Sequence, residues 1–402
     1  MRGRYLKRTW HYDPTLYAPA RYRRACAYEP FLPEPIAGIE ESFSSRTMGV
    51  VSDAERAVQR VGHDADGALA PLARLLLRTE SIASSKVEGL QVDVRDLATG
   101  EARADTTGKV NQTTAEVLAN IDAMELAIDE ASHVERFDRE HITAIHHRLM
   151  APTRARIAGR TRTSQNWIGG NDYNPCGADF VPPPPEDVED LLDDLCEAIE
   201  DQGLPPLAQA ALVHAQFETI HPFDDGNGRT GRALIHVVLR RRGLVAEFVP
   251  PISVEFARER DRYIAGLTDY RHGEVDTWVE GFAAATARAA TLATAYLDEV
   301  AALKQHWRAQ LSSGANPRAD AAAWAIIEAL PAHPVVTAAV AGAETGRAKA
   351  AVHAALDQLA DTGVLLELTG GRRNRSWEAT GLLDLIADLE AGELARTRAW
   401  QE

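Results

Sequence analysis

Segment 221–232, with the sequence HPFDDGNGRTGR, concentrates backbone and side-chain features that suit phosphate chemistry. Gly226 and Gly228, on either side of Asn227, permit positive φ angles and a tight curl, so that successive backbone N–H groups can face one anion. A helix is predicted to restart near Arg229, and its N-terminus would add N–H donors and the positive end of a dipole. The segment therefore predicts a phosphate-binding loop.

The charged side chains of this segment suit a polyphosphate. Arg229 and Arg232 are three residues apart and share one helix face, which suits two phosphates of one chain. Asp225 supplies the hard oxygen that Mg²⁺ prefers beside phosphate oxygens and water. His221 changes charge near neutral pH, and we interpret it as a general base. Each feature alone is common in loops and on solvated helix faces, so the prediction rests on their occurrence in one segment.

The 402-residue chain has an ordinary globular composition, with 45% hydrophobic and 25% charged residues and a formal net charge of −16. This acidic balance argues against extensive wrapping of nucleic acid, which needs clustered Lys and Arg, but allows a small basic surface. Cys26, Cys176 and Cys196 are too few and too scattered for a disulfide framework or a zinc site, and their odd number fits a reducing compartment. Because no apolar run approaches ~18 residues, we expect a cytoplasmic protein without membrane contact.

Alanine-rich periodic segments broken by Gly and Pro predict a mainly α chain. Residues 1–50 mix Tyr, Pro and Arg irregularly, which predicts an extended arm with turns. A helical pattern spans 53–88 and stops at Gly89, a residue that readily caps a helix C-terminus. Two further helical patterns lie within 113–150. Helices are also predicted on both sides of segment 221–232 and onward to about residue 312.

Stretch 159–185 alternates β-forming residues with Gly, Asn and Asp and ends in four prolines. This pattern predicts a hairpin or flap followed by a polyproline run. The next stretch, 186–201, has apolar residues at spacings of three and four with acidic residues between them, which predicts an amphipathic helix.

The C-terminal module, which follows the linker SSGANP at 312–317, has the predicted order helix, helix, helix, hairpin. This is the order of a winged helix-turn-helix. The predicted helices are 319–330, 337–342 and about 345–362, and the hairpin strands are VLLEL and RSWEA. Basic residues lie where a DNA reader would contact phosphates, but the module's near-neutral balance suits protein docking equally, so both partners stay open. These basic residues are Arg347, Lys349, Arg372, Arg373 and Arg375.

Segment 221–232 resembles the signature of the Fic family, HPFx(D/E)GNGRxxR, and matches it at every fixed position. The fixed positions are His221, Pro222, Phe223, Asp225, Gly226, Asn227, Gly228, Arg229 and Arg232. Residues 159–170 resemble the family's flap. The four prolines and the acidic helix that follow resemble the stretch that lies between the flap and the active loop in the family. The resemblance covers about residues 50–290.

The resemblance implies a mainly α fold: a Fic-type helical core with a β-hairpin flap, an N-terminal arm and helical region, and a C-terminal winged helix-turn-helix outside the common core. We therefore expect four parts. These are 1–112, the arm and inhibitory-helix region; 113–290, the Fic catalytic core; 291–316, a connecting helix and linker; and 317–402, the winged helix-turn-helix module with a C-terminal helix.

The resemblance also implies an enzyme, a protein adenylyltransferase. It would transfer AMP from Mg-ATP to a Ser, Thr or Tyr hydroxyl of a protein target, itself included, and release pyrophosphate. His221 would take the hydroxyl proton, and Asp225 would hold Mg²⁺. Asn227 and the loop amides would hold the α-phosphate, while Arg229 and Arg232 would bind the β- and γ-phosphates. The implied nucleotide-binding residues are Gly226, Asn227, Gly228, Arg229 and Arg232.

Two further contacts are implied by similar proteins. The family's flap presents the target by strand addition, which tolerates varied sequences. Here residues 163–168 would play that part, with an ordinary surface hairpin as the alternative. These residues are Thr163, Ser164, Gln165, Asn166, Trp167 and Ile168. Tyr263, on the helix after the active loop, is the candidate adenine contact, although the family often has a second aromatic where Ile264 stands; Trp278 is expected to be core packing.

Residues 79–89 resemble the family's inhibitory helix, (S/T)xxxE(G/N), here with Ser84, Glu88 and Gly89. The Glu88 carboxylate would pair bidentately with Arg232 and take the place of the γ-phosphate, so that ATP would bind weakly or unproductively. The alternative is a solvated glutamate at a helix end. Whether Glu88 also positions water to remove AMP from modified targets stays open.

Two other functions stay open. In one, the chain is a transcription regulator whose core only senses nucleotide for the winged helix; the intact His221 favours the enzyme instead, because a sensor needs no base beside the phosphates. In the other, a relative of the family transfers a different phosphate-containing group. The identity of the target and the formation of a homodimer are left open.

Overall fold

The computed structural model describes residues 2–15, 17–64, 69–107, 110–245, 248–315, 317–368 and 375–393. Helix predominates, as the sequence predicts. No helix in these ranges is long and apolar enough to cross a membrane. The chain divides into two compact units. The first unit comprises Met1–Glu55, Asp122–Leu244 and Arg260–Ala284, and the second unit comprises Arg56–Ile121, Val245–Glu259 and Ala285–Glu402.

The helices and strands are numbered in chain order. The helices are α1 (Ser45–Asp64), α2 (Leu69–Val87), α3 (Val94–Thr107), α4 (Gln112–Asp129), α5 (Arg139–Arg154), α6 (Val188–Glu200), α7 (Pro206–Ile220), α8 (Asn227–Arg241), α9 (Ile252–Arg258), α10 (Arg260–His272), α11 (Val275–Gly314), α12 (Ala322–Ala329), α13 (Ala338–Thr345), α14 (Lys349–Asp361) and α15 (Leu382–Ala391). The strands are β1 (Gly3–Tyr5), β2 (Arg8–Trp10), β3 (Cys26–Tyr28), β4 (Phe31–Pro33), β5 (Val335–Thr337), β6 (Leu365–Glu367) and β7 (Ser376–Ala379).

The N-terminal arm of the first unit is a pair of two-stranded antiparallel ribbons. Strand β1 pairs with β4, with Gly3 opposite Pro33, and β2 pairs with β3, with Trp10 opposite Cys26. The sequence predicts that the scattered cysteines form no disulfide framework. This prediction is wrong for one pair, because Cys26 and Cys176 form a disulfide across 150 residues. Cys196 is a buried free thiol.

The core of the first unit is built around α7, whose residues from Leu207 to Ile220 are all buried. Helix α8 packs closely against it at Gly231, where an added Cβ would lie 2.5 Å from Glu218 Oε1 and 2.8 Å from Phe217 Cδ1, so a larger residue would require these side chains to shift. Helix α6 buries its apolar face, as its spacing predicts. Asp138 caps α5 by accepting from the backbone N–H groups of its first turn.

The second unit contains α2 and the C-terminal module. Ile82 of α2, Leu97 of α3 and Val117 of α4 form one apolar cluster. Helix α3 was not predicted, and the helical pattern at 53–88 is two helices, α1 and α2, instead of one. The prediction that α2 stops at Gly89 is confirmed, since that residue has φ 81°.

The C-terminal module has the predicted order of three helices and a hairpin. Helices α12, α13 and α14 are followed by β6 and β7, and β5 adds a third strand in the order β5-β7-β6. Arg372 and Arg373 of the predicted wing lie outside the described residues. The division of the chain into four parts at 112, 290 and 316 stays a prediction.

Candidate active site

His221 ends α7 in a left-handed conformation, with φ 49° and ψ 60°. Among the described residues it is the one non-glycine with positive φ, a conformation that costs energy and is held by its surroundings. Its carbonyl oxygen accepts from Arg162 Nε at 2.9 Å and from Asn166 Nδ2 at 3.2 Å. Two side chains of stretch 159–185 therefore fix the backbone of the predicted base.

Arg162 is a buried cation whose described partners are carbonyl oxygens. Its guanidinium also donates to Pro183 O at 2.6 Å and to Ile220 O at 3.3 Å. Burial lowers the pKa of Arg162 to about 10, which leaves it charged at neutral pH. The Arg162 guanidinium therefore connects the flap, the polyproline run and the end of α7 through its hydrogen bonds.

The loop after His221 is closed by Asn227. Its Oδ1 accepts from Phe223 N at 2.9 Å and its Nδ2 donates to Phe223 O at 2.8 Å. Gly226 precedes α8 with φ 81°, and an added Cβ there would lie 2.9 Å from Met150 Sδ. Helix α8 starts at Asn227, two residues before the predicted restart near Arg229. Its first N–H groups lack intrahelical acceptors and suit a phosphate at this point.

Asp225 stands beside the start of α8 with its carboxylate about one-third exposed. The carboxylate forms an ion pair with Arg154, lies 3.9 Å from Arg229 Nη2, and accepts from Gly226 N at 2.6 Å. The described chain has no group of three or more His, Cys, Asp or Glu side chains that could hold a metal ion. A single carboxylate fits Mg²⁺ only where phosphate oxygens and water complete its shell.

Arg229 and Arg232 lie one turn apart on α8, and both are buried, with exposures of 5% and 0%. Arg229 Nη2 contacts Met150 Sδ at 4.0 Å. His214 on α7 is also fully buried, and burial, followed by the Arg232 charge, lowers the pKa of His214 to about 3. The imidazole beside Arg232 is therefore neutral at physiological pH.

His146 was not predicted, and it reaches the loop from α5. Its ring is parallel to that of Phe223, and Nδ1 accepts from Gly159 N at 3.0 Å. Because a backbone N–H can only donate, the proton of the neutral ring is on Nε2, which donates to Asp225 O at 2.9 Å. Burial lowers the pKa of His146 to about 4. A lone histidine in a helix gives no sequence signal of this role.

The predicted flap is a hairpin whose two sides meet at an antiparallel bridge between Ile168 and Phe180. Thr163, Ser164 and Ile168 are exposed. Gln165 and Trp167 hold the hairpin together. Gln165 Nε2 donates to Pro182 O at 2.9 Å, and Trp167 Nε1 donates to Asn171 O at 2.6 Å.

Tyr263 lies on α10 and is buried, with 8% exposure. Its hydroxyl is 2.9 Å from His214 Nε2, and the two rings stack. Its contact with adenine stays a prediction. Trp278 is 3% exposed and donates to Ala211 O at 2.8 Å, so it is part of the core, as expected.

Ser84 and Glu88 belong to the second unit. Ser84 is fully buried in α2. Glu88 directly follows the last residue of α2, and its side chain is exposed. A carboxylate at this position lies at the negative end of the helix dipole, which does not stabilise it.

A glycine-rich loop at a helix N-terminus, with an imidazole, a carboxylate and two guanidinium groups, is the arrangement that the sequence predicts for a polyphosphate site. Residues 136–239 match the sequence profile of the Fic/DOC family, and residues 49–129 match that of the Fic/DOC family N-terminal region. Over these two regions the chain is similar to the Fic/DOC family.

Curated relatives cover parts of the chain. Protein adenylyltransferase Fic of Nematostella vectensis is 33% identical over 152 residues, which are 37% of this chain and 32% of that protein. A protein adenylyltransferase of Caenorhabditis briggsae is 26% identical over 271 residues, 62% of this chain and 49% of that protein. The chain therefore spans about a third to a half of the length of these relatives.

A Fic family protein from Desulfovibrio desulfuricans G20 has a similar fold. The TM-score is 0.52 at 20% sequence identity, and the alignment covers 85% of this chain and 98% of that chain. This similarity confirms the predicted fold class.

Proposed function

We propose that the protein is an autoinhibited adenylyltransferase that transfers AMP from Mg-ATP to a Ser, Thr or Tyr hydroxyl of a protein. The observation that carries this proposal is the fixed backbone of His221 beside the start of α8. The relatives from Nematostella vectensis and Caenorhabditis briggsae are named protein adenylyltransferases, which supports the same activity.

In this reaction His221 takes the proton of the target hydroxyl. The hydroxyl oxygen forms a bond to the α-phosphorus of ATP, the bond from that phosphorus to the bridging oxygen breaks, and pyrophosphate leaves. Loss of the base should slow the step by roughly 10²–10⁴-fold. Phosphoryl-type transfer depends mainly on positioning and charge stabilisation, which explains why the loop backbone is held so firmly.

The nucleotide contacts divide between backbone and side chains. Both polar groups of the Asn227 side chain bind Phe223, so we assign the α-phosphate to backbone N–H groups at the start of α8. Arg229 and Arg232 hold the β- and γ-phosphates. Asp225 holds Mg²⁺, which neutralises phosphate charge when bound.

Autoinhibition is assigned to Glu88. Its carboxylate, one residue beyond the end of α2, would compete with the γ-phosphate of ATP for the arginines of the site. We therefore expect the wild-type protein to transfer little AMP and Glu88→Gly to be strongly active. Removal of AMP by Glu88 is tested by incubating AMP-modified protein with the wild type and with Glu88→Gln.

The test is mass spectrometry of Glu88→Gly after incubation with Mg²⁺ and ATP. We expect adducts of roughly 329 Da, the mass of AMP less water, and their loss in the double variant with His221→Ala. Equal labelling of a target by the wild type and Glu88→Gly would reject autoinhibition. Labelling that survives His221→Ala would reject the proposed base.

The alternative function is a nucleotide-sensing transcription regulator. Lys349 begins α14, but the other exposed residues of this helix include Asp357 and Asp361, and Arg375 is paired with Asp357 and Glu367. Steeply salt-dependent duplex binding by the full chain would favour DNA, and no binding at low salt would favour protein docking.

Location and assembly complete the proposal. We place the protein in the cytoplasm without membrane contact, where the Cys26–Cys176 disulfide would be reduced. Thiol trapping in intact cells decides this point. Sedimentation of the purified chain decides whether it forms a homodimer.

A further inference from the structure

The N-terminal arm is basic in an otherwise acidic chain. Residues 2–33, which hold strands β1 to β4, contain seven Arg and Lys and two acidic residues, Asp13 and Glu29, whereas the whole chain has a net charge of −16. Part of this charge is compensated, because Arg2 pairs with Glu41 and Arg8 with Glu186 at 3.0 Å.

A cluster of three exposed arginines, Arg21, Arg23 and Arg24, is not compensated in this way. Across the part of the chain that the structure describes, none of the three forms an ion pair with a carboxylate. Arg21 lies over the ring of Tyr22 at 4.8 Å, and Arg23 Nε donates to Ala18 O at 2.7 Å. These contacts hold the turn and leave its positive charge unneutralised. We call these three residues the arginine turn.

The arginine turn is attached to the tip of the flap hairpin. The tip is the loop 169–179, between the bridge partners Ile168 and Phe180. Tyr22 stacks on Tyr173 of the tip, with centroids 5.1 Å apart and planes at 23°. In this structure a disulfide also joins Cys26, two residues after the turn, to Cys176 of the same loop, and the contact between Tyr22 and Tyr173 does not require this bond.

The flap connects this tip to the base. Trp10 of the arm packs edge-on against Trp167, with centroids 5.6 Å apart. The neighbouring Asn166 donates to the carbonyl oxygens of His221 and Phe223. A strand added to the flap would therefore extend from the catalytic histidine toward the arginine turn.

We propose that the arginine turn is a docking surface for an acidic segment of the protein target, located several residues from the modified hydroxyl. This inference rests on the proposed function, because it uses the flap as the place where the target binds. Complementary charge at such a site selects partners and speeds their encounter more than it adds affinity.

The surrounding charge favours a short acidic peptide over a nucleic acid. Helix α6 and the turn before it are acidic. Burial, followed by the charges of Glu186 and Asp190, raises the pKa of Asp187. These carboxylates would repel a long polyanion that followed the arm, whereas an acidic segment of a few residues needs only the arginine turn.

The test compares two fluorescein-labelled peptides that share a serine and differ only in a block of Asp and Glu or of Asn and Gln. Binding is measured by anisotropy to full-length His221→Ala protein at low and high salt. We expect the acidic peptide to bind about tenfold more tightly at low salt and the preference to shrink at high salt. Equal binding of the two peptides would overturn the proposal.

The decisive variant is the triple substitution Arg21→Gln, Arg23→Gln and Arg24→Gln, which should abolish the preference. Its matched control removes three exposed arginines elsewhere in the described chain, Arg60, Arg136 and Arg318, and should keep it. A retained preference in the first triple variant would overturn the proposal. So would tighter binding of a duplex oligonucleotide of equal charge.

Failure of this inference can be told apart from failure of the proposed function. In the Glu88→Gly background, AMP transfer to the acidic and neutral peptides at equal rates would reject docking by the arginine turn and leave the activity standing. If no AMP is transferred, the proposed function fails, but the difference in binding between the acidic and the neutral peptide, measured by anisotropy, still tests docking.

Discussion

The imidazole of His146 lies flat on the ring of Phe223, with centroids 3.7 Å apart and planes within 3°. The same imidazole accepts from Gly159 at the start of the flap and donates to the carbonyl of Asp225. One neutral ring on α5 therefore sets the relative positions of the flap and the loop carboxylate. We regard His146 as a positioning residue.

His146→Phe should keep the ring contact and lose both hydrogen bonds. We expect kcat for AMP transfer in the Glu88→Gly background to fall about 10–100-fold, because small displacements of reacting groups are costly. His146→Gln, which can both donate and accept, should recover part of this loss, whereas a purely structural role would not separate the two variants. The control is the exposed neighbour His147→Phe. An unchanged kcat in His146→Phe would contradict the assignment.

Arg162→Met should remove the donors that hold His221, Ile220 and Pro183. Each buried carbonyl left without a donor costs about 1–3 kcal/mol, so we expect the free energy of unfolding to fall by about 2–5 kcal/mol. AMP transfer should fall about 10–100-fold, less than in His221→Ala, because the carbonyl of the left-handed residue keeps only the Asn166 donor. Urea denaturation and transfer rates check this, with exposed Arg160→Met as the control. A variant that transfers AMP at the parent rate would rule out this support.

The sequence predicts the loop well and its supports poorly. The candidate base, the carboxylate and the arginines all lie in the continuous segment 221–232, so their spacing in the sequence alone brings them together. His146 lies 79 residues from Asp225, and only the packing of α5 brings them within 2.9 Å. The same reason hides Arg154, whose ion pair with Asp225 has no local pattern. Helix α3 was missed because its residues, VRDLATGEARADTT, include Gly, Asp and Thr, which have weak helix propensity.

The Cys26–Cys176 disulfide should stabilise the protein under oxidising conditions. It closes a loop of 150 residues, for which the chain-entropy argument gives at most about 5 kcal/mol. The double variant Cys26→Ser and Cys176→Ser should therefore unfold at a lower temperature than the wild type without reductant and at the same temperature with it. Cys196→Ser, which replaces a buried free thiol, should instead have the same effect in both buffers. Equal melting of wild type and double variant without reductant would mean that the bond does not form.

Glu390 on α15 should make the stability of the protein depend on pH. Burial raises the pKa of Glu390 from 4.5 to about 7, although the Lys86 and Arg78 charges oppose the shift. Between these values the unfolded chain releases the proton and the folded chain keeps it, so the free energy of unfolding falls as pH rises from about 4.5 to 7 and then levels. Glu390→Gln removes this loss. It should match the wild type near pH 4 and exceed it by up to about 3 kcal/mol at pH 8. Urea denaturation across this range measures the difference between Glu390→Gln and the wild type. If Glu390→Gln follows the wild type from pH 4 to 8, the carboxyl of Glu390 is ionised in the folded protein.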